Sequence, residues 1–454
     1  MALSGPRQYL APNRVLLSTL LLAMVIAALS LLVTAAIDFD PMGWIVYGRE
    51  VFGHGVLDTD TFPSWKPLPV LIIGPFTLLS HGFADVYWWL WIDRTLGLLA
   101  AFGSAVVGYR FAGRAGALAA FAVVIMSAWW FEDTTIGRDG PAGAGLLIIA
   151  LIAYYRNWPR LTGLCIACTA MLRPEVAPFL ALYGFWAWRT GRITLYEALI
   201  VLAFVAFMWE LPSLFHTGKS PSSLASKSGG IGTPSRAQIP FFAVLKDTAV
   251  QMRPAPACFC ALAALSTLWG LTARGRGSKL ASIWGRDQHE RVLIAYAACF
   301  SLLIAAETQF LNFSGNDRYQ IPGLIIWCVI AAVAAVRCGA LLNLRGSQSW
   351  GIALTLAILL LPTMSRVYGV EHNSYNLIAQ RQRQLDAINA QIKAQHCPGY
   401  KWTDGQNNAY LAVITGQSLP ASIVGLGMQA RTFVNGMYYY VYCAPADWRP
   451  KGRA

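Results

Sequence analysis

The chain has 454 residues, of which 56% are hydrophobic and 13% are charged. Soluble domains carry about 25% charged residues, so this composition excludes a soluble multidomain enzyme and predicts a polytopic protein of the lipid bilayer. Its net charge of +13 is then no sign of a nucleic-acid partner, because membrane proteins concentrate Lys and Arg in cytoplasmic loops.

Eleven apolar segments are candidates for membrane-spanning helices, some of them shorter than the ~20 residues that a spanning helix needs. They are 15–37, 86–108, 115–130, 142–155, 161–172, 176–188, 193–211, 255–273, 292–311, 321–336 and 350–362. A further segment, 68–80, is short and carries Pro69, Gly74 and Pro75. We interpret it as a helix in the outer interface of the membrane.

The distribution of charge supports this topology. If the N-terminus is cytoplasmic and segment 68–80 does not span the membrane, three pairs of arginines face the cytoplasm. They are Arg110 and Arg114, Arg156 and Arg160, and Arg189 and Arg192. Only Glu197, Asp287 and Glu290 of the 22 acidic residues also fall inside. We predict an all-α multi-pass protein of the cell membrane, with an uncleaved first helix and an extracytoplasmic C-terminal tail.

Residues 1–364 are predicted to form the transmembrane module. Within it, 38–85 form a first outer loop with interfacial helices, and 212–253, rich in Ser, Gly, Pro and Lys at its centre, form a mobile outer loop. Residues 365–454 are predicted to form a small α+β extracytoplasmic cap. Its helix is indicated by Ile378, Leu385, Ile388 and Ile392, and its strands by 410–415 and 437–442.

The cysteines fit this organisation. Seven of the nine lie in or beside apolar segments, and we interpret the Cys165/Cys168 pair as packing residues. Cys397 and Cys443 lie in the polar tail. A disulfide between them is predicted, as in proteins of oxidising compartments.

Acidic residues cluster at the predicted outer helix ends. They are Asp38, Asp40, Glu132, Asp133, Asp139, Glu175 and Asp317, and Arg173 and Arg318 lie beside the last two turns. Carboxylates near a low-dielectric boundary gain basicity, which suits a general base. They could equally be topology markers or structural ties. The intramembrane neighbours Asp93 and Arg94 leave the same two interpretations open.

Lys66 lies between Trp65 and the proline-bearing interfacial helix. A lysine at headgroup level beside an aromatic ring is well placed to bind a lipid phosphate. Ordinary interfacial anchoring is the alternative.

Together these residues resemble the GT-C glycosyltransferases, which include protein O-mannosyltransferases, the aminoarabinose transferase of lipid A and mycobacterial arabinofuranosyltransferases. The resemblance is carried by Asp38 and Asp40 at the end of the first helix, the aromatic loop 43–55, and Lys66 opening the interfacial helix. The runs FDPMGW, LDT, PSWKPLPVL and LRPE also resemble a poorly characterised actinobacterial membrane-protein group.

The resemblance implies a hexosyl- or pentosyltransferase that takes a sugar from a polyprenyl-phosphate carrier on the outer face and inverts the anomeric centre. Its acceptor would be a glycan, glycolipid or protein of the cell envelope. Asp40, or else Asp38, would be the general base, since Phe39 separates the family's adjacent acids.

The resemblance also suggests roles for the other charged residues. Lys66, with Arg173 or Arg318, would bind the donor phosphate. Glu132, Asp133, Asp139, Glu175 and Asp58 could bind sugar hydroxyls, or a divalent cation such as Mg or Mn in relatives that use one.

Two other classes of function stay open. A lipid-linked-sugar flippase or transporter would also have many helices, but it should carry charges midway along several of them. A non-catalytic envelope assembly protein is the third interpretation, and it leaves the outer Asp, Lys and Arg set unexplained.

Overall fold

A computed structural model describes residues 13–33, 37–54, 65–80, 84–217, 233–272, 282–285, 288–342 and 346–361, with single residues 279, 344, 376 and 383. In the tail it describes the backbone of 401–403, 428–434 and 437–443.

The described helices run in chain order through the transmembrane module. They are α1 Asn13–Ser30, α2 Phe39–Arg49, α3 Pro67–Thr77, α4 Ala84–Ile125, α5 Ala128–Ile136, α6 Asp139–Tyr155, α7 Pro159–Leu172, α8 Ala177–Arg189, α9 Leu195–Thr217, α10 Pro240–Met252, α11 Pro254–Leu271, α12 Gln288–Phe310, α13 Ile321–Leu341 and α14 Gln348–Leu361. A π-helical turn, Glu50–His54, extends α2, and 3₁₀ turns cover Pro174–Val176, Pro234–Arg236 and Asp317–Gln320.

The described part of each of the eleven predicted apolar segments therefore lies mainly on one or two helices. By length and composition, six helices in the described part of the chain can cross a bilayer, or seven if the bent pair α5 and α6 is one span. The chain is a multi-pass membrane protein, while the count of eleven spans stays a prediction.

Helix α13 lies at the centre of the bundle. Sixteen of its residues are buried, and its run of Ala, Val and Ile packs against α4, α11 and α12. A helix that is apolar on all sides is buried on all sides, and small residues such as Ala let neighbouring helices approach closely.

Helix α4 is two helices joined by a break at Ala112 and Gly113. Gly113 has φ +62, and the chain folds back so tightly that a Cβ on Gly116 would lie 2.5 Å from the Gly108 carbonyl oxygen. A bulky residue there would separate the two arms. The break accommodates the two predicted segments 86–108 and 115–130, although the second arm ends at Ile125 rather than residue 130.

The outer connections are more helical than predicted. The segment that contains Glu132 and Asp133 is expected to be a loop, but it forms α5, which meets α6 at an angle of 112°. The second half of the expected mobile loop 212–253 forms α10, and α9 continues through Pro212 to Thr217. Residues 218–232 lie outside the described part of the chain.

Helices α2 and α3 lie in the segment 38–85, whose position at the outer membrane interface stays a prediction. Helix α2 is almost wholly buried, and α3 covers most of the segment 68–80. Gly48 and Gly74 let these helices touch, because a Cβ on Gly48 would lie 3.2 Å from the Gly74 Cα. The buried Arg49–Asp85 ion pair, at 2.5 Å, ties α2 to α4.

In the tail, strands β1 Lys401–Thr403, β2 Met428–Val434 and β3 Met437–Cys443 form an antiparallel sheet in the order β1-β3-β2. The predicted strand 437–442 thus corresponds to β3. The predicted strand 410–415 and most of the predicted tail helix lie outside the described residues, so the cap domain stays a prediction. The structure lends no support to the predicted disulfide, since Cys397 is not described and only the backbone of Cys443 is.

Candidate functional site

The site begins where α1 gives way to α2. Asp38 is the residue before α2, and Asp40 lies in its first turn. The backbone N–H of Asp38 donates a hydrogen bond of 3.0 Å to the carbonyl oxygen of Ile136, at the end of α5. This bond places both predicted base candidates beside the α5–α6 corner.

Lys66, Asp139 and Arg173 form a buried triad. Lys66 precedes α3, Asp139 begins α6, and Arg173 follows α7. The Asp139 Oδ2 atom lies 2.6 Å from Lys66 Nζ and 2.8 Å from Arg173 Nε, and Asp139 Oδ1 accepts a bond of 3.0 Å from Arg173 Nη2. None of the three side chains is more than 10% exposed. The triad therefore has two cations for one anion in a low-dielectric setting.

The electrostatics of Lys66 reflect this surplus of positive charge. Burial, and then the neighbouring Arg173 guanidinium, lower the pKa of the Lys66 ammonium to about 8, against the opposing effect of Asp139. Its ammonium also lies 5.1 Å from the centre of the Trp44 ring. An anion beside Lys66 would relieve the repulsion from Arg173, so this lysine is poised to bind one.

Arg318 links the triad to Asp40. The Arg318 Nη1 atom donates a bond of 2.8 Å to Asp40 Oδ2, and these side chains are 32% and 15% exposed. The guanidinium groups of Arg173 and Arg318 lie 4.7 and 5.4 Å from the centre of the same ring, Tyr319. Both guanidinium groups therefore pack against the Tyr319 ring.

Arg138 is a functional candidate that the sequence patterns did not single out. Its guanidinium lies 2.6 Å from Asp38, 3.1 Å from Asp133 and 3.5 Å from Glu132. Its position in the sequence, between Glu132–Asp133 and Asp139, could have identified it, because an arginine there lies within reach of several carboxylates. Arg138 holds Asp38 as Arg318 holds Asp40.

Glu175 lies next to the triad but outside its ion pairs. It is buried, and its Oε2 atom has no hydrogen-bond partner in the described part of the chain. Burial raises the pKa of the Glu175 carboxyl against the opposing charge of Arg173. Asp58, the remaining predicted site residue, lies outside the described residues.

Asp93 and Arg94, the predicted intramembrane pair, lie in two different environments. Arg94 donates hydrogen bonds to Ser30 Oγ and to the Thr135 carbonyl oxygen, and it thereby joins α1, α4 and α5. Asp93 is fully buried, and neither carboxylate oxygen has a hydrogen-bond partner among the described residues. The structure accounts for Arg94 as a tie between helices.

A divalent cation does not fit these acids well. Asp139 faces Lys66 and Arg173, and Glu132 and Asp133 both face Arg138. Among the described residues, no three acidic, histidine or cysteine side chains converge as metal ligands would. The expectation of an Mg or Mn ligand set gains no support from this geometry, and no step below depends on a metal.

A cavity of about 510 Å³ adjoins the charged network. Glu132, Asp133, Arg138 and Arg318 are among its lining residues. Because Arg138 and Arg318 hold Asp38 and Asp40, a molecule in this cavity would approach both base candidates. The structure therefore brings together the described predicted site residues around one triad and one cavity.

Comparisons with known proteins agree with this architecture. No family model and no curated protein sequence matches the chain. Two crystal structures of ArnT from Cupriavidus metallidurans do. The one bound to undecaprenyl phosphate matches with a TM-score of 0.57 and 14% identity, over 90% of this chain and 86% of that one.

The apo structure matches with a TM-score of 0.55 and 15% identity, over 89% of this chain and 84% of that one. At such identity the likeness shows a shared fold and not a shared activity. It gives no support to the resemblance to the actinobacterial group. The chain shares the fold of these two ArnT structures.

Proposed function

We propose that this protein is a membrane glycosyltransferase that moves a sugar from a polyprenyl-phosphate carrier to a cell-envelope acceptor on the outer face. The observation that carries the proposal is the buried Lys66–Asp139–Arg173 triad, joined through Tyr319 and Arg318 to Asp40 beside a cavity. The shared fold with ArnT, one structure of which is bound to undecaprenyl phosphate, supports the same class of donor.

The charge balance suits a phosphodiester. Lys66, Arg173 and Arg318 face Asp139 and Asp40, which leaves one surplus positive charge. A polyprenyl-phosphate sugar carries one negative charge, and its phosphate gains a second as the sugar leaves. Cations fixed at this point stabilise the transition state more than the bound donor, which is the requirement for catalysis.

In this mechanism Asp40 removes the proton from the acceptor hydroxyl, and the oxygen attacks the anomeric carbon from the face opposite the phosphate, with inversion. In the resting protein Arg318 neutralises Asp40. We propose that the donor phosphate draws Arg318 away, which frees the Asp40 carboxylate to accept the acceptor proton only when a donor is present. Asp38, held by Arg138 at 2.6 Å, is the alternative base.

The remaining acids would serve recognition. Asp133 and Glu132 line the cavity and can accept hydrogen bonds from sugar hydroxyls. Asp139 orients Lys66 and Arg173 through its ion pairs with them, and Glu175 lies beside them without an ion pair. The sugar could be a hexose or a pentose, and the acceptor a glycan, a glycolipid or a protein.

The test uses the full chain in lipid nanodiscs with a panel of polyprenyl-phosphate sugars and a membrane extract as acceptor source. Release of polyprenyl phosphate is followed for wild type and for Asp40→Asn. Release by the wild type alone is the expected result, and it also identifies the donor. If the folded wild type releases none with any donor, the flippase or assembly interpretations take the place of this proposal.

A further inference from the structure

The end of the bundle opposite the triad carries a surface that the proposed function does not use. Helix α12 is one of the six helices that can cross a bilayer. It begins at Gln288, and the loop that carries Arg318 follows its other end. Residues that pack around the first turn of α12 therefore lie at the opposite face of the membrane from Asp40 and Arg318. Anionic lipid headgroups are the negative groups that a surface at this level meets.

Four half-buried rings form a cluster at this end. The centre of the Tyr154 ring lies 5.5 Å from that of Trp186 and 5.7 Å from that of His289, and the Tyr155 ring lies 5.3 Å from His289. The cluster joins the last turn of α6 to α8 and to the first turn of α12. Because Tyr and Trp combine an apolar body with a polar edge, such a cluster suits the headgroup level of a bilayer.

Two arginines lie against rings of this cluster. The Arg110 Cζ atom lies 4.4 Å from the centre of the Tyr155 ring, and the Arg192 Cζ atom lies 4.5 Å from the centre of the Trp186 ring. Arg110 is half-buried and Arg192 is exposed. A guanidinium that is already held on a ring keeps N–H groups for an anion and loses less conformational entropy when it binds one.

The described acidic residues do not balance the positive charge at this end. Glu197 pairs with Arg160 at 2.9 Å, and Glu290 pairs with Arg337 at 2.7 Å. In the described part of the chain, the arginines near the break in α4 and at the C-terminal end of α8 have no carboxylate partner; they are Arg110, Arg114, Arg189 and Arg192. Membrane topology explains an excess of arginine on one side. It does not explain why two of these guanidinium groups are held on rings that join three helices.

We propose that this surface, formed by Arg110, Tyr154, Tyr155, Trp186 and Arg192, binds the headgroup of an anionic phospholipid. Arg110 and Arg192 donate hydrogen bonds to phosphate oxygens, and the rings contact the glycerol and the upper part of the acyl chains. The surface lies at the ends of membrane helices, so a lipid of the same leaflet reaches it without leaving the bilayer. The inference does not depend on the proposed function, because it uses no residue of the triad or of the cavity.

The experiment is a titration of the full chain in neutral detergent with dioleoylphosphatidylglycerol or dioleoylphosphatidylcholine, followed by native mass spectrometry. Each bound lipid is resolved by its mass, so the Kd of the first bound lipid is measured for both. We expect phosphatidylglycerol to bind the wild type more tightly than phosphatidylcholine. Arg110→Gln and Arg192→Gln should each weaken the binding of phosphatidylglycerol roughly fivefold, since one arginine at a membrane surface contributes about that factor. Neither should change the binding of phosphatidylcholine.

Two further variants separate this surface from net charge and from the rings. Arg160→Gln removes one positive charge from the same end, but from an arginine that is 80% exposed and has Glu197 as its partner. It should bind both lipids as the wild type does. Trp186→Leu keeps every charge and removes the ring under Arg192. It should weaken the binding of phosphatidylglycerol alone, and unchanged binding of phosphatidylcholine shows that the variant is folded.

The proposal is overturned if phosphatidylglycerol binds no more tightly than phosphatidylcholine, or if Arg110→Gln and Arg192→Gln bind it as the wild type does. An equal loss in Arg160→Gln would show a general effect of net charge and would also overturn it. Loss of the preference in Lys66→Met would assign the binding to the triad, with the same consequence. Because the Kd is measured without a sugar donor, this surface and the proposed reaction fail separately.

Discussion

A network of charged side chains lies near each end of α13, and the two networks differ in charge balance. Near the C-terminal end, Arg337 donates to the carbonyl oxygens of Ile283 and Phe111 and to Glu290 at 2.7 Å. Near the N-terminal end, about 24 Å from Arg337 along the helix axis, the Lys66–Asp139–Arg173 triad has surplus positive charge.

This difference distinguishes a network that stabilises the fold from a network that is a candidate ligand-binding site. A buried network whose charges are balanced within the protein holds helices together and needs no ligand. A buried network with surplus charge costs stability, and such groups persist where a ligand supplies the missing partner. Arg337 therefore stabilises the bundle, and the outer triad is the candidate for anion binding.

The largest effect is expected for Asp40→Asn. Loss of a general base should lower the transfer rate by roughly 10²–10⁴-fold. Binding of polyprenyl phosphate should be unchanged or tighter, since Arg318 is then freed from its ion pair. Single-turnover transfer and titration with polyprenyl phosphate measure the two effects. Asp38→Asn is the matched variant, and a larger rate loss in that variant would transfer the role of base to Asp38.

In the Arg337 network, Glu290→Ala should destabilise the fold by about 3 kcal/mol, because it leaves the partly buried Arg337 without its carboxylate. Unfolding by SDS in mixed micelles measures this. The control is Glu197→Ala, which breaks the exposed Arg160–Glu197 pair and should cost less than about 1 kcal/mol. Equal losses in the two variants would contradict the contrast between a satisfied buried network and a surface pair.

Lys66→Met should weaken binding of polyprenyl phosphate by roughly tenfold to a hundredfold, since one charged hydrogen bond is lost. Stability should not fall as it does for Glu290→Ala, because Asp139 keeps its ion pair and its hydrogen bond with Arg173. Titration and SDS unfolding of the same preparation give both values. Unchanged affinity would make Lys66 an interfacial anchor, as the sequence also allowed.

The smallest effect is a dependence on pH. The Lys66 pKa is about 8, below the ordinary value of 10.5, so the ammonium is charged below pH 8 and neutral above it. The kcat/KM for donor should therefore fall as pH rises through 8, by up to about tenfold per unit. In Lys66→Arg the guanidinium stays charged, and the fall should disappear. A decline at the same pH in that variant would assign it to another group.

Most residues of the candidate site could be singled out from the sequence, because they lie at helix ends. Asp38, Asp40, Lys66, Arg173 and Arg318 are each next to an apolar segment, and all the outer ends of a helical bundle meet at one membrane surface. Arg138 was missed because its importance depends on a contact with Asp38 across 100 positions. The bend between α5 and α6 that makes this contact was predicted to be a loop.

What the sequence determined by itself is the membrane environment and the positions of the long apolar helices, since both follow from apolar segments that can be read locally. Only the tertiary structure decided which carboxylate pairs with which cation. It also placed the Gly108–Gly116 contact that folds α4 and the cavity that adjoins the charged network. Pairing depends on distances between residues far apart in the chain, and no local pattern of hydrophobicity or charge encodes those distances.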